Sequence, residues 1–281
     1  MISLFIIIKR GDYVSEYKVR AKMSLEGSWG LVSFLYFLVN AIIKFALIIS
    51  LWVMGGVLFK FVDSSMFEDD DETVFDFVET GIIKYFKALV EKMNHTTAII
   101  IMISLSVILL FLYIVLSIGL DNIYLKIARE EHITVSDIIV KDGKIGKAIL
   151  LEIVTFLYII LWSLLFVIPG VVKAFAYSKA MYIYLDHPEY SIGECLYKSE
   201  KIMMGNKADN FVLELYFLPY WIIYAIVSKF TVLISGAVDA YGSTYFCVAD
   251  AHFYLELIGQ GPQYQNIPTK GIEEFKKKLN S

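Results

Sequence analysis

The run AIIIMISLSVILLFLYIVLSI, Ala98 to Ile118, is apolar throughout apart from Ser104, Ser106, Ser117 and the hydroxyl of Tyr113. A helix needs about 20 such residues to cross the hydrocarbon of a bilayer, so this segment is expected to span a membrane. The rest of the chain agrees in kind. Its 281 residues are 58% hydrophobic and 19% charged, with a mean hydropathy of +0.63, against roughly 45–50% apolar and about 25% charged in an ordinary soluble domain. A water-soluble fold could not cover that much apolar surface. The formal net charge of -4 is small, and nothing in its distribution implies a nucleic-acid partner. Cys195 and Cys247 are far apart in unlike segments, which argues against a disulfide framework or a zinc knuckle.

Working outward, further runs reach or approach spanning length. Trp29 to Phe59 is broken only by Asn40 and Lys44 and reads as one tilted helix, or as a helix with an interfacial continuation. Ala148 to Ile168 is entered through Glu152 and stopped at Pro169-Gly170, a pair that favours a tight reversal. Val171 to Leu185 then returns as a short helix, with Lys173 and Lys179 in it and small residues that let a neighbour approach. Phe211 to Ala237, kinked at Pro219, is a fifth span, and Tyr241 to Ile258, flecked with Asp250, His252 and Glu256, is a sixth. The expected fold class is all-α: a multi-pass transmembrane helical bundle of about six spans in one integral membrane domain.

Lysine and arginine are retained on the cytoplasmic side in short loops. Lys9, Arg10, Lys18, Arg20 and Lys22 precede the first span, and Lys126, Arg129, Lys141, Lys144 and Lys147 lie between the second and third. Lys198, Lys201 and Lys207 lie between the fourth and fifth, and Lys270 and Lys276 to Lys278 follow the last. All of these fall on one side in a six-span chain, so both termini are expected to be cytoplasmic. The opposite side receives a long acidic loop, residues 61–97, that holds Glu68, Asp69, Asp70, Asp71 and Glu72. Residues 1–8 are apolar but lack a preceding basic region and a cleavage site. They read as uncleaved, or as an extension upstream of the true start.

Two amphipathic stretches are expected at the cytoplasmic boundary. Ser191 and Glu194 have the spacing of a capping box, after which Ile192, Cys195, Leu196, Ser199, Ile202 and Met203 repeat at helical spacing until Gly205, giving a helix over residues 191–204. Val14, Tyr17, Ala21 and Leu25 make a comparable stripe before the first span, with Lys18, Arg20 and Lys22 turned to headgroups. The bland reading of both is a helix lying on lipid. The sharper one is a docking surface for a protein partner.

The run Leu161-Trp162-Ser163-Leu164-Leu165-Phe166-Val167-Ile168-Pro169-Gly170, continuing through Lys173, Ala174, Tyr177 and Ser178, resembles the signature of bacterial membrane proteins catalogued as domain of unknown function 975. Asp186, Pro188, Ser191, Glu194, Ser199, Met203, Gly205, Asn206 and Lys207 resemble the surface-helix block that follows there, although Asn206 stands where histidine is expected. Ala249 to Leu255 resembles the closing block, and Gly27 with Trp29 the opening one. The resemblance covers most of the chain from about Gly119 onward, and the acidic loop has no counterpart in it. It implies the fold class and a cell-membrane location, and it brings no activity.

The search for chemistry returns little. Gly143, Lys144, Ile145, Gly146 and Lys147 have the wrong spacing for a phosphate loop and read as a solvated basic turn. His95, His132, His187 and His252 are scattered without metal-ligand spacing, and the run Glu68 to Glu72 lacks the alternation and glycine of a calcium loop. No cofactor, metal site or catalytic group is assigned, and the chain is not expected to be an enzyme. Glu152, Glu214, Lys173 and Lys229 lie near span ends and are expected to reach headgroups. Lys44, Lys179, Asp250 and His252 lie deeper and are the candidate intramembrane polar residues, with Lys179 and Asp250 at similar depth and so able to pair. Two function classes follow. One is a non-enzymatic scaffold or accessory module whose partners are the lipid bilayer and a protein at the amphipathic helices. The other is a small transporter or channel that uses the deep charges. A polar cavity lined by those charges would favour transport, and solid packing around them the scaffold.

Overall fold

The computed structural model of the chain describes residues 15–44, 95–140, 145–229 and 232–259, and within these every regular element is helical. In order they are α1 (Ser15–Ser24) and α2 (Trp29–Lys44), α3 (His95–Ala128), a 3₁₀ turn at Val135–Ile138, α4 (Ile145–Leu165), α5 (Val167–Tyr177), α6 (Ala180–Asp186), α7 (Ile192–Ile202), α8 (Lys207–Val227) and α9 (Val232–Leu257). Two compact units result, one of Met1–Val39 with Ile114–Ser281 and one of Asn40–Tyr113. The candidate site and all packing described below belong to the first.

Residues Ile103–Ala128 of α3, together with α4 and α8, are each long and apolar enough to cross a bilayer. The pair α1 and α2, bent by 100°, adds a fourth such element if taken together. The described residues thus carry three or four candidate spans where about six are expected. The span expected at Val171–Leu185 is not a single helix. Its pieces α5 and α6 have 11 and 7 residues and rise roughly 16 and 10 Å, against about 30 Å of hydrocarbon. The break falls at Ser178–Lys179, where the Lys179 N–H leaves the helical ladder and donates to Ser199 Oγ at 3.2 Å.

Other boundaries move for equally local reasons. The reversal expected at Pro169-Gly170 comes earlier, at the extended Phe166 (φ -160, ψ 147). Pro169 then occupies the first turn of α5, where a missing N–H costs nothing. The fifth span ends at Val227 rather than Ala237, and Val232 to Ala237 open α9. Helix α9 runs unbroken past Asp239, whose carboxylate accepts from Ser243 Oγ, one turn on, at 3.1 Å. The second span is extended at both ends, from His95 to Ala128, so the end of the expected acidic loop is helical. Residues 45–59 of the first expected span, Glu68 to Glu72, Gly143, Lys144 and both expected cytoplasmic termini lie outside the described residues.

The α4–α5 hairpin is tight, with Gly170 against the Ser163 side chain, and it returns the chain to the start of α4. There Lys147 Nζ donates to the Pro188 carbonyl at 3.1 Å. Arg129, just beyond α3, donates through Nη2 to both oxygens of Asp186 at 2.8 Å, and Tyr254 of α9 donates to the same carboxylate at 2.7 Å. Helix α1 crosses α9, with Tyr17 edge-on to Phe253 at 5.4 Å, Tyr245 donating to the Lys18 carbonyl at 2.9 Å and Arg20 bound to Glu256 at 3.0 Å. The ends of α3, α6 and α9 and the starts of α1 and α4 therefore meet in one base. Fully buried Tyr17, Tyr124, Tyr184, Phe253 and Tyr254 concentrate there, whereas Leu164, Phe166 and Ile168 at the tip of the hairpin are more than 70% exposed.

Both amphipathic stripes are buried against the chain itself, which corrects the expectation that they lie on lipid. Tyr17 and Ala21 of α1 and Leu25 just beyond it are at most 1% exposed, as are Cys195, Ser199 and Met203 of α7 and its C-cap. Lys18 and Arg20 do not point to headgroups. Lys18 Nζ lies 5.4 and 5.6 Å from the ring centres of Tyr216 and Phe217, and Arg20 is held by Glu16 and Glu256. The capping box of α7 forms as expected: Ser191 Oγ accepts the Glu194 N–H at 3.2 Å, and Glu194 accepts the Ser191 N–H at 2.7 Å. That backbone donor holds the Glu194 carboxyl below its ordinary range. Gly205 follows with φ +88, the left-handed conformation of a C-terminal cap. Ser191→Ala is expected to cost about 1 kcal/mol and to speed amide exchange in the first turn of α7. Unchanged exchange there would contradict a capping role.

Candidate buried polar site

The break between α5 and α6 turns Lys179 into the base, where it is 0% exposed. Its ammonium donates to Asp250 Oδ1 of α9 and to Asn210 Oδ1 of α8 at 3.2 Å, and it lies 5.2 Å from the ring centre of Phe253. Three helical segments thus converge on one cation. A fourth, α7, closes the backbone around it: Ser199 Oγ accepts the Lys179 N–H and donates to the Ala176 carbonyl at 2.8 Å. Burying an ammonium is tolerable only when it is paired and hydrogen-bonded, and here Asp250 supplies the counter-charge and, with Asn210, accepts two of the three protons.

More carboxylates than cations surround the pair. Asp121 of α3 and Glu214 of α8 both lie within electrostatic reach of Asp250, and Glu152 of α4 within reach of Asp121. Tyr182 of α6 closes one side, its hydroxyl 3.5 Å from the Cys247 carbonyl and its ring 5.3 Å from Tyr254. Two grooves of about 400 Å³ lie elsewhere in this unit. One is apolar, between Trp29, Ser33 and Phe37 of α2 and Ala240 and Tyr241 of α9. The other is lined by Ser24, Glu26, Glu130 and Glu131. Neither is lined by Lys179 or Asp250.

Of the four candidate residues, Lys179 and Asp250 are brought together. His252 is fully buried on the adjoining turn of α9 and faces α1, its Nε2 2.9 Å from Ser24 Oγ. Lys44 ends the described part of α2 and belongs to the second unit. Lys173, expected to reach headgroups, instead pairs with Glu200 of α7 at 2.8 Å, over the rings of Trp162 and Tyr177. No group of three or more metal-ligating side chains converges among the described residues. Asn210, Ser199, Phe253 and the Arg129–Asp186–Tyr254 cluster were missed from sequence. Their partners are tens of residues away, and no local spacing announces them.

Another ion pair marks the edge of the base. Lys126 Nζ donates to Asp137 Oδ1 at 2.7 Å, and the Thr134 N–H and hydroxyl donate to the other oxygen. The lysine bond first, then the Thr134 donors, lowers the Asp137 carboxyl to about 2. A depressed folded value means that this stabilisation is complete above the ordinary carboxylate range and is lost as pH falls through about 2. Thermal melting between pH 5 and pH 2 should therefore fall less steeply in Asp137→Asn than in the parent. Parallel curves would contradict the assignment.

A family model described as protein of unknown function (DUF975) matches residues 13–260. No curated protein and no solved structure matches the chain.

Proposed function

The chain belongs to the DUF975 family of proteins of unknown function, and on that premise we propose that it is a multi-pass protein of the cell membrane acting as a non-enzymatic scaffold or accessory module. Its candidate spans support the membrane setting. The observation that carries the scaffold reading is the enclosure of Lys179: a fully buried ammonium, held by Asp250 and Asn210, clamps α6, α8 and α9, with only the Asp250 side chain of the pair partly exposed, by 14%. A transport path needs its charges accessible and exchangeable. The base, where the basic segments around Arg129 and Lys147 gather, is the cytoplasmic end in this reading, with both termini on that side. The partners are the bilayer and a protein bound at the base.

The surplus of carboxylates around Lys179 favours the transporter reading, because Asp121, Glu152 and Glu214 would suit a cation or proton. The readings separate on purification. From mild detergent, a scaffold brings down a stoichiometric protein that is lost when the base is destabilised, whereas a self-sufficient transporter purifies alone. Topology is tested by cysteine labelling of intact cells, with Cys195 and Cys247 replaced by alanine. Asp71→Cys should react from outside, and Lys144→Cys and Lys277→Cys only after permeabilisation. External reaction at Lys144→Cys would overturn the orientation.

A further inference from the structure

We infer that the outward face of α7 docks on anionic phospholipid, with Lys198 and Lys201 meeting the headgroup phosphates and Met204 and Tyr197 anchoring the contact. This rests on the membrane reading above and inverts the usual use of an amphipathic helix. The apolar face of α7 is already spent on the protein, so the face left for lipid is the other one. On it Gly193, Tyr197, Lys201 and Met204 are all exposed, Tyr197 by 62% and Met204 by 64%. At 100° per residue the first three form a single stripe, and Met204 follows just beyond the C-cap.

Neighbouring elements fix which end of α7 points to the bilayer. Ser199 meets Ala176 and Lys179, and Glu200 meets Lys173, so α7 runs antiparallel to the α5–α6 path. Its C-terminal end therefore points toward the exposed apolar part of α5, Phe166 to Val172, and toward Phe211, where the exposed apolar run of α8 begins. Met204 lies where that apolar surface starts. Counting 1.5 Å per residue, Lys201 and Tyr197 stand roughly 6 Å apart along the axis, comparable with a headgroup layer of about 5–8 Å. The charges also fit. Glu200 is neutralised by Lys173 and Glu194 is engaged in the capping box. Lys198 and Lys201 lie over the rings of Tyr190 and Tyr197, at 4.4 and 5.3 Å, so each ammonium is braced on an aromatic face with its protons available to phosphate.

The test uses the full chain, with Cys195 and Cys247 replaced by alanine, in nanodiscs of phosphatidylcholine alone or mixed with phosphatidylglycerol. Nitroxides are placed at Met204→Cys, Gly193→Cys and Leu164→Cys, and accessibility to oxygen and to a water-soluble nickel chelate is measured. With phosphatidylglycerol, the label at 204 should favour oxygen several-fold more than the label at 193. Adding Lys198→Glu with Lys201→Glu, or removing phosphatidylglycerol, should shift the label at 204 toward the nickel reagent. A label at 204 that is equally aqueous in both lipids overturns the docking while leaving the membrane reading intact, provided the label at 164 is deep. A label at 204 shielded from both reagents in either lipid means that it packs against protein rather than lipid and also overturns the docking. An aqueous label at 164 overturns both readings.

Discussion

Asp250→Asn is expected to destabilise the protein by about 3–5 kcal/mol, the cost of leaving a buried charge without its counter-ion. Lys179 is fully buried, and the other side-chain acceptor of its ammonium among the described residues is the neutral Asn210 oxygen. Lys179→Met combined with Asp250→Asn should recover much of the loss, since a neutral pair of similar volume removes the desolvation cost. Melting followed by size-exclusion in detergent measures both, and a strong positive coupling in the double-mutant cycle is the expected signature. A single mutant that melts with the parent would mean that Lys179 is solvated by some other route.

Gly119→Ala is the second large effect. A Cβ at Gly119 would lie 1.7 Å from the Ile138 carbonyl oxygen and 2.9 Å from the Ile138 Cα. Both are backbone atoms, so the 3₁₀ segment must move away from α3, and overpacking of this kind costs about 1–3 kcal/mol or more. The same movement would strain the Asn122 and Lys126 bonds to Asp137, at 3.0 and 2.7 Å. Gly146→Ala is the control. A Cβ there meets nothing within 4 Å, and in α4 alanine is the better helix former, so that variant should be neutral or slightly more stable. Equal melting temperatures for the two variants would contradict the packing.

What the sequence announces and what it conceals divide along a physical line. The Ser191–Glu194 capping box, the Gly205 cap and the apolar length of Ala98 to Ile118 are properties of neighbouring residues, and each appears in the fold where it was read. Periodicity says that one face of a helix is buried without saying against what, which is why the stripes of α1 and α7 read as faces for lipid or a partner and lie instead against α9 and α5. The break at Lys179 is invisible locally, because the Ser199 hydroxyl that stabilises it lies 20 residues away. The same holds for Arg129 and Asp186, 57 residues apart. Pro169 shows the reverse error. It marks a boundary correctly, yet as a residue suited to the first turn of a helix rather than as the residue that ends one.

The enclosure of Lys179 also explains why α6 is the best-buried element of the unit, with Ala180 to Tyr184 all inside. A short helix gains little from its own hydrogen bonds. Its position depends on the ion pair at its first turn and on Asp186, bound by Arg129 and Tyr254, at its last. Two polar clamps thus sit at the two ends of about two turns of helix. The most direct test is ion and proton flux through the purified chain in proteoliposomes. Flux no greater than that of empty vesicles, for the parent and for the folded Lys179→Met, Asp250→Asn variant alike, is the predicted result. A flux carried by the parent and abolished in that folded variant would contradict the account and make the pair part of a pathway.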